Sequence, residues 1–327
     1  MSTVVNSLSD LWKHFDSIDD PRVDYLIEHQ LRDIIILTIL AVICGADTWV
    51  EIEEYGLCKQ SWLATFLPLP NGIPSHDTIA RVFARLCPQQ LQECFLSWIE
   101  AIAQITHGEV VAIDGKTLRH SYDGAKNQKA IHMVSAWATQ NNLVLAQVKV
   151  DEKSNEITAI PKLLEVLDLK GCIVTIDAMG TQKKIAQTII EKEADYILSL
   201  KGNQGNICED VEQLFNWALK TNFENIDYES WKTIEKGHGR IEIRRYWLMS
   251  GVEHLIDNEK WTGLKTIGLV ESERKIKGRE TTIERRYYLT SLDLNQGVKK
   301  FAQGVRSHWG IENQLHWCLE SGFKTFS

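Results

Sequence analysis

The chain has 327 residues, 44% of them hydrophobic and 24% charged, with a formal net charge of −8, an ordinary globular balance long enough for two or three structural units. Seven cysteines, at 44, 58, 87, 94, 172, 208 and 318, form no CxxC pair, which argues for reduced thiols and against a disulfide framework or a structural zinc site. The longest apolar run, 34–44, is roughly half the ~20 residues that cross a bilayer, and the N-terminus lacks a signal-peptide pattern, so a cytoplasmic protein with no membrane partner is expected.

Residues 1 to about 105 read as helical. The stretches "IEHQLRDIIILTILAVICGA", "TWVEIEEYGLCKQSWLATFL" and "PQQLQECFLSWIEAIAQI" have helical apolar spacing, interrupted at "PLPNGIP". In "IPSHDTIARVFARL", Ser75 is a good N-cap and His76, Arg81 and Arg85 fall on the polar face. This fits the second helix of a helix-turn-helix that touches DNA, and equally a plain surface helix.

After residues 106–108 the pattern changes. Residues 109–120, 130–139 and 143–150 are strand-like runs separated by turn residues, which predicts an antiparallel meander. A helix in "TAIPKLLEVLDL", a strand 173–176 closing on Asp177, a helix in "KKIAQTIIEKEA" and a strand in "DYILSLKG" follow. That β-β-β-α-β-α-β order predicts an α/β domain with a mixed sheet. A helix over 209–220 precedes a β-rich insertion at about 222–292, and a last helix runs from 295 to 320. The expected organisation is a helical domain over 1–106 and an α/β domain over 107–327. Charge is uneven: residues 231–310 carry 16 Lys and Arg against 10 Asp and Glu, so a basic stripe hides inside an acidic chain.

Three acids stand out. Asp114 closes the run "VVAI" and is followed by Gly115, and Asp177 closes "IVTI" and is followed by Ala178-Met179-Gly180. Sites in open α/β sheets gather near strand ends, although Asp177 could also cap the helix that begins near Gln182. The third acid, Glu312, falls on the apolar stripe of the last helix marked by Val298, Phe301, Ala302, Val305, Trp309, Leu315 and Leu319. A carboxylate facing a core needs a partner or a metal. Alternatives are a buried salt bridge to Arg306 or Arg119, or a zinc site built from His308, Glu312 and His316. Three carboxylates from separate elements suit a hard cation such as Mg²⁺ better than zinc.

The order Asp in "VVAIDGKTLR", Asp in "IVTIDAMGTQ" and Glu in "VRSHWGIENQLHW" resembles the DDE transposases of bacterial insertion sequences, in particular the H-repeat-associated family. The resemblance extends to "IDDPRVDYLIEHQLRDIIILTILAVICGADTWVEIEEYG", "LPNGIPSHDTIARVF", "KGNQ" and "KGHGRIEIRRYW". It implies an RNase H-like catalytic domain carrying a β-rich insertion, behind an all-helical N-terminal domain. It also implies a catalytic, metal-binding triad of Asp114, Asp177 and Glu312 that holds Mg²⁺, with Mn²⁺ as a substitute. The implied activity is cleavage of insertion-sequence ends and their transfer to target DNA by a homo-oligomer assembled on DNA. Phosphate contacts are expected from Lys116, Arg119 and His120 after Asp114, and from Lys201 and Asn203 in "LKGNQ". The insertion offers His238, Arg240, Arg244, Arg285 and Arg286, and the last helix Arg306, His308 and Asn313.

The sequence departs from the pattern twice. The wider group's Tyr-Arg-Glu-Lys signature has His308 and Leu319 in place of its Arg and Lys, so DNA-end contacts assigned from that signature do not carry over. Family members continue beyond "LHW", whereas this chain ends in "CLESGFKTFS", which suggests a truncated relative with uncertain activity. The competing readings are a nuclease of the same fold without strand transfer, and a DNA-binding remnant without catalysis.

Overall fold

The computed structural model describes residues 11–23, 25, 27–102, 108–118, 131–140, 143–150, 155–237, 239–276 and 278–312. The chain divides near residue 104 into two compact units.

The first unit is helical: a 3₁₀ turn Trp12–Phe15, then α1 (Leu31–Ile43), α2 (Trp49–Leu63), α3 (His76–Phe83) and α4 (Pro88–Ile102). Four consecutive residues of α1, Ile34 to Leu37, are buried, which is why the longest apolar run reads as core rather than as a membrane span. No helix among the described residues is long and apolar enough to cross a membrane. Asp33 is buried in that run, where its carboxylate accepts the Leu69 N–H at 3.0 Å. The start of α2 is fixed by a capping box in which Thr48 and Glu51 each take the other's backbone N–H. Gly56 lets α2 close on its neighbours, since a Cβ there would stand 2.7 Å from Ile73.

Ser75 caps α3 as expected, but α2 and α3 are joined by residues 64–75, far longer than the 3–4-residue turn of a helix-turn-helix. The helix-turn-helix reading of α3 is therefore corrected. His76 is also engaged, with Nδ1 2.5 Å from the Glu53 carboxylate, while Arg81 and Arg85 remain exposed.

The second unit is built on one nine-stranded mixed sheet in the order β3-β2-β1-β4-β5-β9-β8-β7-β6. The first five strands are β1 (Val110–Leu118), β2 (Ile131–Ala138), β3 (Leu143–Lys149), β4 (Ile173–Ile176) and β5 (Asp195–Leu200). β1, β2 and β3 form the expected antiparallel meander, while β4 lies parallel to both β1 and β5. This is the RNase H-like arrangement that the resemblance implied. Parallel strands need a crossover, and the sequence supplies it as α5 (Glu156–Glu165) and α6 (Lys183–Glu191).

The β-rich insertion follows α7 (Asn206–Lys220). It contributes β6 (Tyr228–Gly237), β7 (Arg240–Met249), β8 (Thr266–Ile276) and β9 (Thr282–Thr290). Because β9 pairs antiparallel with β5, the insertion extends the sheet instead of forming a separate body. The last described helix, α8 (Val298–Gly310), packs on β1, β4, β5, β6 and β7. Its Val298, Phe301, Ala302 and Val305 join Val110, Ile173, Ile197, Tyr246 and Tyr288 in one core.

Candidate active site

The pairing of β1 with β4 sets Ile113 opposite Ile176, so the next residue on each strand, Asp114 and Asp177, stands side by side with the other. β4 stops there, but β1 continues to Leu118 and stays paired with β2. Asp114 is thus a mid-strand residue exposed by the end of its neighbour, not the strand terminus that the sequence suggested. Both acids, with Glu312, line one cavity of about 300 Å³ whose other walls include Thr175, Ser199, Lys201, Arg286, His308 and Trp309.

Asp177 does not cap α6. Its Oδ1 accepts the N–H groups of Met179 and Gly180 at 3.0 and 3.1 Å, closing a tight turn, and α6 begins only at Lys183 with no side-chain cap. Gly180 is required by packing, because a Cβ there would collide with Ile176 and Ile160. Behind the turn, Thr181 donates to the Asp177 or Ser199 carbonyl at 3.0 or 2.7 Å. Asn203 and Gln204 of "KGNQ" both donate to the Ala178 carbonyl. Asn203 thus braces the Asp177 turn, while Lys201 of the same block lines the cavity.

Burial chiefly, and then the negative charge of Asp177, push the Asp114 carboxyl up to about 7; Glu156 and Glu312 add to the rise and the Gly115 N–H opposes it. Gly115 lets a neighbour come close to the strand. What approaches it is the Glu156 carboxyl, which occupies the place a Cβ would take on the opposite face of β1. His132 holds Glu156 there, with Nε2 2.8 Å from its Oε1 and Nδ1 2.8 Å from the Thr117 hydroxyl.

Glu312 is exposed, and Ile311 is buried against Ala112 and Trp137. The expectation that Glu312 faces the core is therefore wrong. After Gly310 the chain makes a π-type turn at 311–312, and Glu312 lines the cavity while Ile311, seven residues after the buried Gly304, faces inward. Such one-turn expansions inside helices recur at functional sites. Gly310 needs no close approach, since a Cβ would meet only Trp137 Nε1 at 3.9 Å.

The zinc alternative through His308 and Glu312 needs His316, which lies outside the described residues. His308 Nδ1 is 3.0 Å from Thr175 Oγ1, and burial lowers its pKa to about 4 against the opposing charge of Asp177. Arg306 approaches Glu235 rather than Glu312. On the insertion, Arg240 and Arg244 pair with Glu242, and Arg285 turns to Glu271. Lys116 shares a face of β1 with Asp114. Arg119, His120, His238, Asn313, Leu315, His316 and Leu319 lie outside the described residues.

A family model described as "Transposase DDE domain" matches residues 106–326. The chain belongs to the DDE transposase family. A second model, "DDE_Tnp_1-associated", matches residues 12–99 of this transposase relative. The chain is 44% identical over 317 residues to the "H repeat-associated putative transposase YhhI" of Escherichia coli K12, covering 96% of this chain and 82% of that protein. It is 43% identical over 317 residues to the "Putative transposase YncI" of Escherichia coli O157:H7, covering 96% and 80%. A solved piggyBac transposase synaptic complex with hairpin DNA aligns over 97% of this chain and 65% of that one, at 12% identity and a TM-score of 0.38.

In this DDE family member, no group of three His, Cys, Asp or Glu side chains among the described residues stands ready to hold a metal ion. The triad acids share a cavity without being gathered to ligand distance. Sequence reasoning missed Glu156, Thr175 and the bracing role of Gln204. Only Gly115 hinted at the first, since a glycine beside a candidate acid signals a close neighbour.

Proposed function

We propose that the protein is a DNA transposase that cuts the ends of its insertion sequence and joins them to target DNA, using Mg²⁺ or Mn²⁺ held by Asp114, Asp177 and Glu312. The observation that carries this reading is the convergence of three acids, from β1, from the end of β4 and from the turn after α8, on one cavity, with Asp114 raised to about 7 by burial and by the others' charge. The donor set is all hard oxygen, which suits Mg²⁺ and Mn²⁺. When bound, a pair of such ions activates the attacking water or 3′-hydroxyl and stabilises the leaving oxygen of an in-line displacement.

The chain's own part is placement and charge. Asp177 is oriented by the N–H groups of its turn, and that turn is pinned from behind by Asn203 and Gln204. Glu312 is carried by a helix locked to β4 through the Thr175–His308 contact. His308 stays neutral near pH 7, so it adds no charge that would compete for the acids. Lys201 on the cavity wall and Lys116 beside Asp114 are placed to meet phosphate. Cutting and joining differ only in the nucleophile, so one site serves both. Two DNA ends must be brought together, which favours a homo-oligomer on DNA.

The test is an end-cleavage and strand-transfer assay with the DNA ends that flank the gene, in Mg²⁺ or Mn²⁺, comparing wild type with Asp177→Asn. Metal-dependent nicking and joining that disappear in the variant are expected. Cutting without joining would make the protein a nuclease, and binding without cutting by either form would leave a DNA-binding role.

A further inference from the structure

We propose that the outer arm of the sheet carries a second anion site, a recess that holds phosphates of the DNA strand running on from the catalytic cavity. The proposal rests on the reading of that cavity as a DNA site. The recess, about 420 Å³, is lined by residues that include Arg240, Arg244, Arg274, Arg286, Arg306 and Trp309.

Strand register builds it. Side chains alternate along a strand, so Arg240, Glu242 and Arg244 of β7 project from one face, and Glu242 sits directly opposite Arg274 of β8. Tyr246 and Leu248, further along that face, belong to the core beneath α8. The recess therefore lies on the same side of the sheet as α8, where the strands run out past the helix. From above, α8 adds Arg306 and Trp309.

The charge does not balance. Glu242, only 7% exposed, receives Arg240 and Arg274 at 3.0 and 3.1 Å and also Arg244. Glu235 faces Arg244 and Arg306, and Glu284 holds Arg286. Glu273, which alternation turns to the opposite face of β8 from Arg274, is taken up by Arg245 and Lys275. Among the described residues, five guanidinium groups thus share three carboxylates. Arg240 and Arg274 keep 46% and 53% of their side chains exposed, so both can take a second partner. Guanidinium groups held in place by carboxylates are preorganised for the bidentate geometry of phosphate.

Continuity with the catalytic cavity identifies the ligand. Arg286 and Trp309 line both cavities, and the Arg286 guanidinium lies 4.4 Å from the Trp309 ring centroid. A strand whose phosphate reaches the triad passes this stacked pair on its way to the recess. The ligand class is a nucleic-acid backbone rather than an isolated anion, because the surplus charge is spread along the strands. Such contacts position DNA without reading its sequence.

The experiment uses the full chain and a fluorescent duplex of the flanking DNA ends, with affinity measured by anisotropy across a salt series without divalent metal. Arg240→Gln with Arg274→Gln is compared with Lys170→Gln and Lys260→Gln, which remove equal charge from surface pairs with Glu193 and Asp257. The arginine variant should bind about 10-fold more weakly, and its salt slope should fall by about 1 for each phosphate it no longer neutralises. The lysine variant should stay within about 2-fold of wild type, and both should keep the wild-type melting temperature within a few degrees. Equal losses of affinity in the two variants, or none in either, overturn the recess. Asp177-dependent cleavage alongside arginine-independent binding removes this proposal and leaves the proposed function. Arginine-dependent binding by a protein that never cuts DNA does the reverse.

Discussion

Strands β4 and β5 lie at the centre of the sheet and β6 at its edge, and they carry charge in opposite ways. All four residues of β4 and most of β5 are buried, so charge appears only where these strands stop, at Asp177, Asp195 and Lys201. On β6 nearly every residue is exposed, and along the arm carboxylates and guanidinium groups alternate in pairs. At the centre, packing is strong enough to bury Asp114 and to hold Asp177 beside it, and both raise its carboxyl. In the arm, solvent and partner charges keep electrostatics cheap, so a surplus of arginine can accumulate. The difference separates a region that fixes a site from a region that presents a surface.

The comparison breaks if equivalent substitutions behave alike in both regions. Phe301 is fully buried, packs edge-on against Tyr288 at 5.5 Å and fills the space over Gly268. Phe301→Ala should cost about 3–5 kcal/mol in denaturant unfolding. Ile283 in the arm is 61% exposed, and Ile283→Ala should stay within about 0.5 kcal/mol. Next in size is Gly304→Ala, whose Cβ would run into Ile197 Cδ1. Overpacking of this kind costs about 1–3 kcal/mol. Because α8 carries Glu312, a displacement of about 1 Å should also lower end cleavage about 100-fold, a loss to be read at a temperature where the variant is fully folded.

Asp114 sharpens the electrostatic half of the comparison. Its carboxyl stands at about 7 in the fold against 3.8 in a free chain. Below pH 4 the residue is protonated in both states and carries no penalty. Between pH 4 and 7 the unfolded chain releases the proton first, so the stability present in acid is lost as pH rises through about 7. In metal-free buffer, Asp114→Asn should therefore melt several degrees above wild type at pH 8, and the gap should close near pH 4. A gap independent of pH would show that the effect is not ionisation.

Much of the second unit was legible because its strands and helices differ in period. The meander, the two crossover helices and the apolar stripe of α8 all follow from the spacing of Val, Ile, Leu and Phe. β6 was not legible: "YESWKTIEKG" buries almost nothing, so no alternation of apolar residues marks it, and it becomes a strand by pairing along its whole length with β7. The acids at 114 and 177 stand out because a buried strand rarely ends in a carboxylate without a reason. Glu312 was found through a wrong premise. Helical periodicity placed it on the core side, seven residues after Val305, whereas the residue buried there is Ile311, seven after the buried Gly304. Asn203 carries a role that no spacing marks, since its amide braces the Ala178 carbonyl from a block that begins 24 residues after Asp177.

The smallest expected effect concerns the arm's own cohesion. Arg245 of β7 lies opposite Glu271 of β8 and reaches Glu271 and Glu273 at 3.1 and 2.8 Å, and both acids help to hold the guanidinium in its charged form. If the arm behaves as a surface, a double-mutant cycle of Arg245→Ala and Glu273→Ala should give a coupling of only about 0.2–1 kcal/mol, falling as salt is raised. A coupling above about 2 kcal/mol that resists salt would mean that the arm is held by its charges as the centre is held by its core. In that case the arginines could not exchange partners freely, and the arm would be a brace for α8 instead of a face open to DNA.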